Sequence, residues 1–265
     1  GKTLENPQHP FVAIIGGAHG MAGAPILAAR TALHAGAGRV YIAFPDTPPA
    51  FDSGQPELMC RRAQDVDFSG LHFAALVAGP GLGDDGDTVE LLQRTFESDS
   101  PLLLDADALN LMAAEPELQS ALAVRTGAGA TILTPHPLEA ARLLDMTVAE
   151  VQADRLGAAR QLAAQLGVIV VLKGSGTVIA AQDGSVVVNN TGGPALATAG
   201  TGDVLSGLCG SLLAQGWPEW EAALGAVWLH GAAADALVAA GSGPIGLTAG
   251  ELIPAIRKLI NALSA

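Results

Sequence analysis

The chain has 265 residues, 49% of them hydrophobic and 15% charged, which is long enough to bury one large core, so we expect a single domain over residues 1–265. A formal net charge of −13 would repel a phosphate backbone, which argues against nucleic acid as a partner. Two widely separated cysteines, and the lack of an uninterrupted apolar run of membrane-spanning length, favour a cytoplasmic protein with no membrane contact.

Six apolar runs typical of buried parallel strands alternate with segments of helical periodicity over the first two thirds of the chain. This alternation predicts an α/β layered domain built from βαβ units. The predicted helices cover 24–35, 87–97 and 138–166, the last with a break near Met146. The predicted strands begin at Phe11, Arg39, Phe73, Pro101, Ala130 and Val168.

The pattern changes after Lys173. Asp183-Gly184 lies between two strand-like runs, TVIAAQD and SVVVNN, and is a strong signal for a two-residue β-hairpin. We therefore expect an antiparallel edge on the sheet. Beyond Gly202 the periodicity predicts helices over 203–214, 219–240 and 249–262.

Ligands of open α/β sheets bind at the carboxyl ends of the strands, so the loops that follow the apolar runs carry the functional signal. The segment NNTGGPALATAGTGDVLSG, residues 189–207, places Gly200, Thr201 and Gly202 directly before Asp203 and an apolar helix. Unpaired amides at such a helix start can hold the negative charge of a migrating phosphoryl group, with Asp203 where a base is needed. The alternative is that Asp203 is an N-cap or first-turn acid that only stabilises the helix.

The segment TPHPLE, residues 134–139, follows a predicted strand and opens a helix. Flanking prolines fix the backbone, so that His136 projects from a rigid turn and Glu139 falls in the first helical turn. On pattern alone, such a histidine is more often a hydrogen-bonded loop residue, and such a glutamate more often an acid favoured by the helix dipole.

Three further loops have two interpretations each. Lys173, in VVLKGSGT, is either a phosphate contact or a surface lysine, and the spacing is not that of a P-loop. The glycines of GPGLGDD, residues 79–85, either let the backbone approach a ligand or form a flexible loop. Asp105 and Asp107, in LLLDADALN, either hold a hydrated Mg²⁺ or cap their loop.

The first βα segment, residues 16–38, is also rich in glycine. It lacks the G-x-G-x-x-G spacing and the later acid of a dinucleotide-binding Rossmann unit. We therefore expect no such unit here.

The block AGTGDVLSG resembles the anion hole and catalytic aspartate of ribokinase-like kinases, and NTGGPALAT together with TPHPLE resembles the NAD(P)H-hydrate dehydratases in particular. The resemblance extends from about Ala13 to Ile256. It implies a ribokinase-like three-layer αβα sandwich whose mostly parallel sheet has an antiparallel hairpin edge. It also implies nucleotide-dependent dehydration of the S-epimer of NADHX or NADPHX, by phosphorylation of the ring hydroxyl and elimination of phosphate.

The resemblance further implies roles for individual residues. Asp203 would remove the hydroxyl proton while the amides of Gly200, Thr201 and Gly202 stabilise the phosphoryl group. The residues implied to contact the hydrated cofactor are Ala24, Gly83, His136 and Asp203. Those implied for the adenine nucleotide are Lys173, Gly174, Ser175, Gly176, Thr177 and Gly202. Glu139 and Asp105 are the implied Mg²⁺ residues.

Mg²⁺, with ADP or ATP as phosphoryl donor, is therefore expected, and stand-alone bacterial members of the family use ADP. The chain is expected to form a homo-oligomer, up to a tetramer, and to work with an NAD(P)H-hydrate epimerase. One rival function is a small-molecule kinase for a vitamin precursor or sugar, which should carry Asn where His136 stands. The second rival is a non-catalytic nucleotide-sensing protein, against which the retention of Asp203 and Lys173 argues.

Overall fold

The computed structural model describes residues 10–69, 72–125 and 130–264. The strands within these ranges are β1 Phe11–Ile15, β2 Arg39–Phe44, β3 Met59–Arg62, β4 Ala75–Ala78, β5 Leu102–Leu104, β6 Thr131–Leu133, β7 Ile169–Leu172, β8 Val178–Ala180 and β9 Val186–Val188. They form one sheet in the order β3-β2-β1-β4-β5-β6-β7-β8-β9.

Helices cover both faces of this sheet. Their bounds are α1 Gly23–His34, α2 Gly86–Phe96, α3 Asp107–Ala114, α4 Pro116–Val124, α5 Pro137–Leu144, α6 Val148–Ala153, α7 Arg155–Leu166, α8 Thr201–Ala214, α9 Glu219–Ala239 and α10 Ala249–Leu263. One hydrophobic cluster lies between the sheet and α1, α8, α9 and α10, and a second lies between the sheet and α2 to α7. The predicted three-layer αβα sandwich is thereby confirmed.

Strands β1 to β7 run parallel, and β8 and β9 add an antiparallel hairpin at one edge. The hairpin was predicted, but its loop is longer than two residues. Ala181 N donates to Ser185 O, and Gly184 N donates to Ala181 O, so three residues form the connection. Gly184 takes a φ of +88°, the left-handed position that closes a three-residue hairpin loop.

Three elements were absent from the sequence-based assignment. Strand β3 is a four-residue edge strand whose Arg61 and Arg62 are exposed, so it lacks the apolar run that marks a buried strand. Helices α3 and α4 are short and meet at Glu115, where Pro116 starts the second helix. The predicted helix 138–166 does break near Met146, as expected, and breaks again at Asp154.

Helix α8 packs very closely against α1. A Cβ on Gly207 would lie 2.0 Å from the carbonyl oxygen of Ala28 on α1, so only glycine allows this approach. Among the described residues, α9 alone has the length and hydropathy of a membrane span, and half of that stretch is buried in the fold. It packs mainly against α8 and α10.

Candidate active site

The carboxyl edge of the sheet, where β1 to β7 end, brings together loops that are far apart in sequence. Asp105 follows β5, and its carboxylate is almost completely buried, with Oδ1 accepting from Lys173 Nζ at 2.6 Å. Its Oδ2 accepts from Ser206 Oγ of α8 at 2.7 Å. Asp105 thus ties the end of β7 to the first turns of α8.

The backbone around Asp105 is also constrained. Ala106 has a φ of +49°, which is unusual for a residue with a side chain, and its N–H donates to Asp105 Oδ1 at 2.9 Å. A Cβ on Gly79 would lie 1.7 Å from the Asp105 carbonyl oxygen, so the loop after β4 presses directly on this turn. Both carboxylate oxygens already have protein donors, which makes Asp105 an anchor for the site.

The start of α8 presents backbone amides to the same edge. Gly200 precedes the helix with a φ of +87°, and no side chain caps the first turn. Thr201 Oγ1 turns back to the carbonyl oxygen of Leu196 at 2.9 Å and leaves the helix amides unobstructed. A Cβ on Gly202 would lie 3.5 Å from Lys173 Nζ, so an anion at this turn would meet both amides and an ammonium group.

Asp203 lies in that first turn and differs from a capping acid. Among the described residues, no hydrogen bond engages its carboxylate, so the capping interpretation is not supported. Burial raises the pKa of Asp203 to about 6, with a further rise from Asp105 and an opposing effect of Lys173. A carboxylate with a pKa close to neutrality is suited to act as a general base.

His136 caps α5. Its Nδ1 accepts from the amides of Leu138 and Glu139 at 3.1 and 3.2 Å, and Glu139 Oε2 accepts from the His136 amide at 2.7 Å. The neutral ring therefore carries its proton on Nε2, which lies 3.2 Å from Glu139 Oε1. The interpretation of His136 as a hydrogen-bonded loop residue therefore holds for Nδ1, while nearly half of the side chain remains exposed.

Burial raises the pKa of Glu139 to about 7, against the opposing charge of Lys173. Burial and the charge of Lys173 lower the pKa of His136. Burial also acts to lower the pKa of Lys173, but the Asp105 and Glu139 carboxylates outweigh it, so the net shift is a rise. Lys173 therefore stays a cation fixed in the site, and the surface-lysine interpretation is wrong.

Arg155, which has no signature in the sequence, supports the loop that follows Lys173. Arg155, at the start of α7, donates to the carbonyl oxygens of Ser175 at 2.6 Å and Leu172 at 3.1 Å. Gly174 and Gly176 adopt φ values of +149° and +66°, which favour glycine. No loop motif marks Arg155, because it acts from a neighbouring helix.

A cavity of about 350 Å³ opens between this loop, the start of α8 and α9. All six residues assigned to the nucleotide border it, as do Asn189, Thr191 and His230, which were not assigned. The cavity therefore joins a backbone-rich loop to the anion-binding turn. The six assigned residues are Lys173, Gly174, Ser175, Gly176, Thr177 and Gly202.

Gly83 and Ala24, which were also assigned to the substrate, do not border this cavity. Gly83 has a φ of +83°, and its N–H donates to Asp107 Oδ2 at 3.0 Å. Ala24 lies in the first turn of α1, where a Cβ on Gly81 would come 3.4 Å from its methyl group. The loops after β1 and β4 therefore meet beside Asp107. A second, open cavity of about 540 Å³ borders the loop after β1.

The carboxylates of the site match the oxygen ligands that Mg²⁺ prefers. Asp105 and Glu139 already accept protein hydrogen bonds, and the described ranges hold no group of three or more His, Cys, Asp or Glu side chains arranged around a metal. These residues therefore fit a hydrated ion contacted through water and phosphate oxygens. Direct coordination by Glu139 and Asp105 stays a prediction.

A family model for NAD(P)H-hydrate dehydratase matches residues 12–258. The chain belongs to this family. The NAD(P)H-hydrate dehydratase resemblance seen in the sequence is therefore confirmed. The chain is 46% identical to the ADP-dependent (S)-NAD(P)H-hydrate dehydratase of Neisseria meningitidis serogroup B, over 96% of this chain and 86% of that protein.

The chain is also similar to two further NAD(P)H-hydrate repair enzymes. It is 41% identical to the bifunctional NAD(P)H-hydrate repair enzyme of Coxiella burnetii, covering 98% of this chain and 52% of that protein, so it spans about half of that relative. The Bacillus subtilis ADP/ATP-dependent NAD(P)H-hydrate dehydratase, co-crystallised with ATP/Mg²⁺, superposes with a TM-score of 0.79 at 31% identity, covering 96% of this chain and 90% of that one. Structural neighbours also confirm the ribokinase-like fold.

Proposed function

We propose that this chain dehydrates the S-epimer of NADHX or NADPHX to NADH or NADPH, with an adenine nucleotide as phosphoryl donor. The observation that carries the proposal is the carboxylate of Asp203, which has no hydrogen bond within the described part of the chain and lies at an uncapped helix start beside the nucleotide cavity. Family membership and the ADP-dependent relative support the same reaction. His136, which replaces the Asn of the kinases, favours the dehydratase over a simple kinase.

The first step is phosphoryl transfer. Asp203 accepts the proton of the ring hydroxyl, and the hydroxyl oxygen bonds to the terminal phosphorus of the nucleotide as the bridging P–O bond breaks. ADP would leave as AMP, or ATP as ADP. The amides at 200–202 and the Lys173 ammonium stabilise the negative charge of the migrating group.

The second step is elimination. The ring nitrogen lone pair expels phosphate by breaking the C–O bond, and loss of a proton from the adjacent ring carbon restores the dihydropyridine. His136 and Gly83 would orient the ring at this stage. Both lie at the carboxyl edge of the sheet, His136 beside the Glu139 carboxylate and Gly83 beside that of Asp107. Mg²⁺, when bound, supplies positive charge to the phosphate oxygens, and Glu139 and Asp105 would hold it through water.

The test uses purified protein with hydrated cofactor, Mg²⁺ and either ADP or ATP. We expect the absorbance band of the reduced nicotinamide to return, with one inorganic phosphate released per cofactor repaired. ADP is the proposed donor because the Neisseria meningitidis relative is named as ADP-dependent. A stable phosphorylated product with no return of absorbance would instead identify a kinase, and nucleotide binding without turnover would identify a sensor.

The partner assignments are proposals of the same kind. An NAD(P)H-hydrate epimerase would supply the S-epimer that this site consumes, which fits the existence of bifunctional repair enzymes among the relatives. A homo-oligomer, up to a tetramer, and a cytoplasmic location stay predictions. Sedimentation of the purified chain measures the first of these directly.

A further inference from the structure

Asp107 is an acid at the carboxyl edge of the sheet for which neither reaction step has a role. It begins α3, two residues after Asp105, and its side chain is partly buried. Its Oδ2 accepts from the amide of Gly83 at 3.0 Å, although the two residues are 24 positions apart in the chain. Gly83 belongs to the loop after β4, which the proposed reaction assigns to the hydrated cofactor. One carboxylate oxygen of Asp107 is therefore committed to the loop that the substrate is expected to contact.

This hydrogen bond anchors a loop that is built largely from glycine. In the loop after β4, residues 79–84, the glycines at 79, 81 and 83 have φ values of +124°, +57° and +83°. Glycine adopts such conformations easily and also leaves them easily, because no side chain restricts its backbone. Within the described ranges, no side chain other than Asp107 hydrogen-bonds a residue of this loop. The position of Gly83 therefore depends on Asp107.

The backbone between Asp105 and Asp107 turns sharply at Ala106. Its φ of +49° and ψ of −118° are rare for a residue with a side chain, and such conformations persist where the surrounding structure enforces them. On one side of this turn Asp105 bonds to Lys173, and on the other Asp107 bonds to the loop after β4. The turn thus gives two acids of one segment different partners, one among the phosphoryl-transfer residues and the other in the substrate loop.

The substrate loop and the base lie close together at this point. Burial raises the pKa of Asp203, and the charges of Asp105 and Asp107 add to that rise, so Asp107 lies within electrostatic range of the base. The loop after β4 also contacts the loop after β1, where Ala18 N donates to the carbonyl oxygen of Gly81 at 2.7 Å. Releasing the Gly83 amide would therefore loosen the loop after β4 and, through it, the loop after β1.

We propose that Asp107 is a positioning residue for the hydrated cofactor. By accepting the N–H of Gly83, it holds the loop after β4 in the conformation that receives the ring, and it acts through that loop without touching the reacting atoms. The inference rests on the proposed function, because it takes the hydrated cofactor as the ligand of this loop. The nucleotide cavity is bordered by other segments, so a loss of this hydrogen bond should affect the cofactor and spare the nucleotide.

The first experiment compares Asp107→Ala, which removes the acceptor, with Asp107→Asn, which retains a side-chain oxygen for the amide. Assays at about pH 8 keep Asp203 ionised in every variant. For Asp107→Ala we expect the KM for hydrated cofactor, and its Kd measured by calorimetry without nucleotide, each to rise roughly fivefold to tenfold. The Kd for ADP should stay within about twofold. Asp107→Asn should recover most of the cofactor affinity, and equal losses in the two variants would overturn the inference.

The matched control is Glu117→Ala. Asp107 and Glu117 are acids in the first turns of α3 and α4, but Glu117 is exposed and accepts no hydrogen bond among the described residues. Its removal takes away the same favourable interaction with a helix start and leaves the loop after β4 untouched. Cofactor affinity should be unchanged in Glu117→Ala. A loss as large as that of Asp107→Ala, or full cofactor affinity in Asp107→Ala, would refute the positioning role.

The second experiment follows the loop itself, by hydrogen exchange of residues 79–84 in the protein without ligands. Exchange should be roughly fivefold to tenfold faster in Asp107→Ala than in the wild type and in Glu117→Ala, because the Gly83 amide has lost its acceptor. Asp107→Asn should exchange at nearly the wild-type rate. A loss of cofactor affinity without faster exchange would identify Asp107 as a direct cofactor contact and contradict the inference.

Two further measurements separate this role from a metal role and from a failure of the proposed function. The Mg²⁺ concentration for half-maximal rate should be the same in the wild type and Asp107→Ala. A rise in it that exceeds the rise in KM for hydrated cofactor would assign Asp107 to the metal and overturn the inference. If the wild type binds hydrated cofactor without dehydrating it, the proposed function is refuted, while weaker binding and faster exchange in Asp107→Ala would still uphold the positioning role.

Discussion

Asp105 and Asp203 both interact with the charge of Lys173, yet the two regions around them are built in opposite ways. At the end of β5, both oxygens of Asp105 accept hydrogen bonds from Lys173, Ala106 or Ser206. At the start of α8, the carboxylate of Asp203 accepts none among the described residues. The fully bonded carboxylate fixes the geometry, and the free one is left to react.

The largest expected effect is a loss of catalytic activity when the carboxylate of Asp203 is removed. Asp203→Asn removes the base while keeping the shape of the side chain, so kcat should fall by roughly 10²–10⁴-fold. The Kd for ADP should change little and the thermal midpoint should not fall, because the carboxylate accepts no hydrogen bond from the described residues. Asp183→Asn in the β8–β9 turn is the control. Undiminished turnover in Asp203→Asn would contradict the assigned role.

The next largest expected effect is on stability, where substitution of Asp105 and substitution of Asp203 should differ. Asp105→Ala leaves the Lys173 ammonium without its closest partner, so the free energy of unfolding should fall by about 3 kcal/mol in urea titrations. Asp203→Asn should cause no such loss, because it leaves no buried charge without its partner. The double variant Asp105→Ala, Lys173→Met should regain part of the loss, because no buried charge is then left unpaired. Equal stability losses for the two aspartates would remove the contrast.

A third effect lies in the pH dependence. Because burial raises the pKa of Asp203 to about 6, kcat/KM should fall about tenfold for each pH unit well below that value as the base is protonated. The stability effect has the opposite sign. The ionised carboxylate is disfavoured in the folded state, so its destabilising contribution grows as pH rises from about 4 to about 6. Asp203→Asn should therefore gain stability relative to wild type at pH 7.5 and not at pH 3.5.

The smallest effect concerns the support of the nucleotide loop. Arg155→Met removes two hydrogen bonds to carbonyl oxygens of the loop after β7, and the KM for ADP should rise by roughly threefold to tenfold with little change in kcat. Arg160→Met is the matched control, because Arg160 donates to the Gly184 carbonyl oxygen in the β8–β9 turn and not to the loop after β7. A larger effect in Arg160→Met than in Arg155→Met would show that the loop is supported differently.

Much of the fold could be read from local pattern. The apolar runs and the hairpin signal predicted eight of the nine described strands, beginning with FVAII of β1. Edge strand β3 was missed because its exposed Arg61 and Arg62 remove the apolar signal. Helices α3 and α4 were missed because they are short and meet at Pro116.

The site was predictable only in part. The glycines of 200–202 and the prolines around His136 have local signatures, and the structure brings those segments to one edge of the sheet. Arg155 lies on a helix of ordinary composition, so no motif distinguishes it. Its contribution depends on the loop that packs against it.

The amino-acid sequence by itself determined the order of strands and helices, the family and the turns that need glycine, because each of these depends on residues close together along the chain. Only the tertiary structure decided which carboxylate is bonded and which is free. Asp105 meets a lysine 68 positions away and a serine 101 positions away, and both contacts depend on packing across the sheet. Burial and the charges of Asp105 and Lys173 set the pKa of Asp203, and this environment is not encoded in a local pattern.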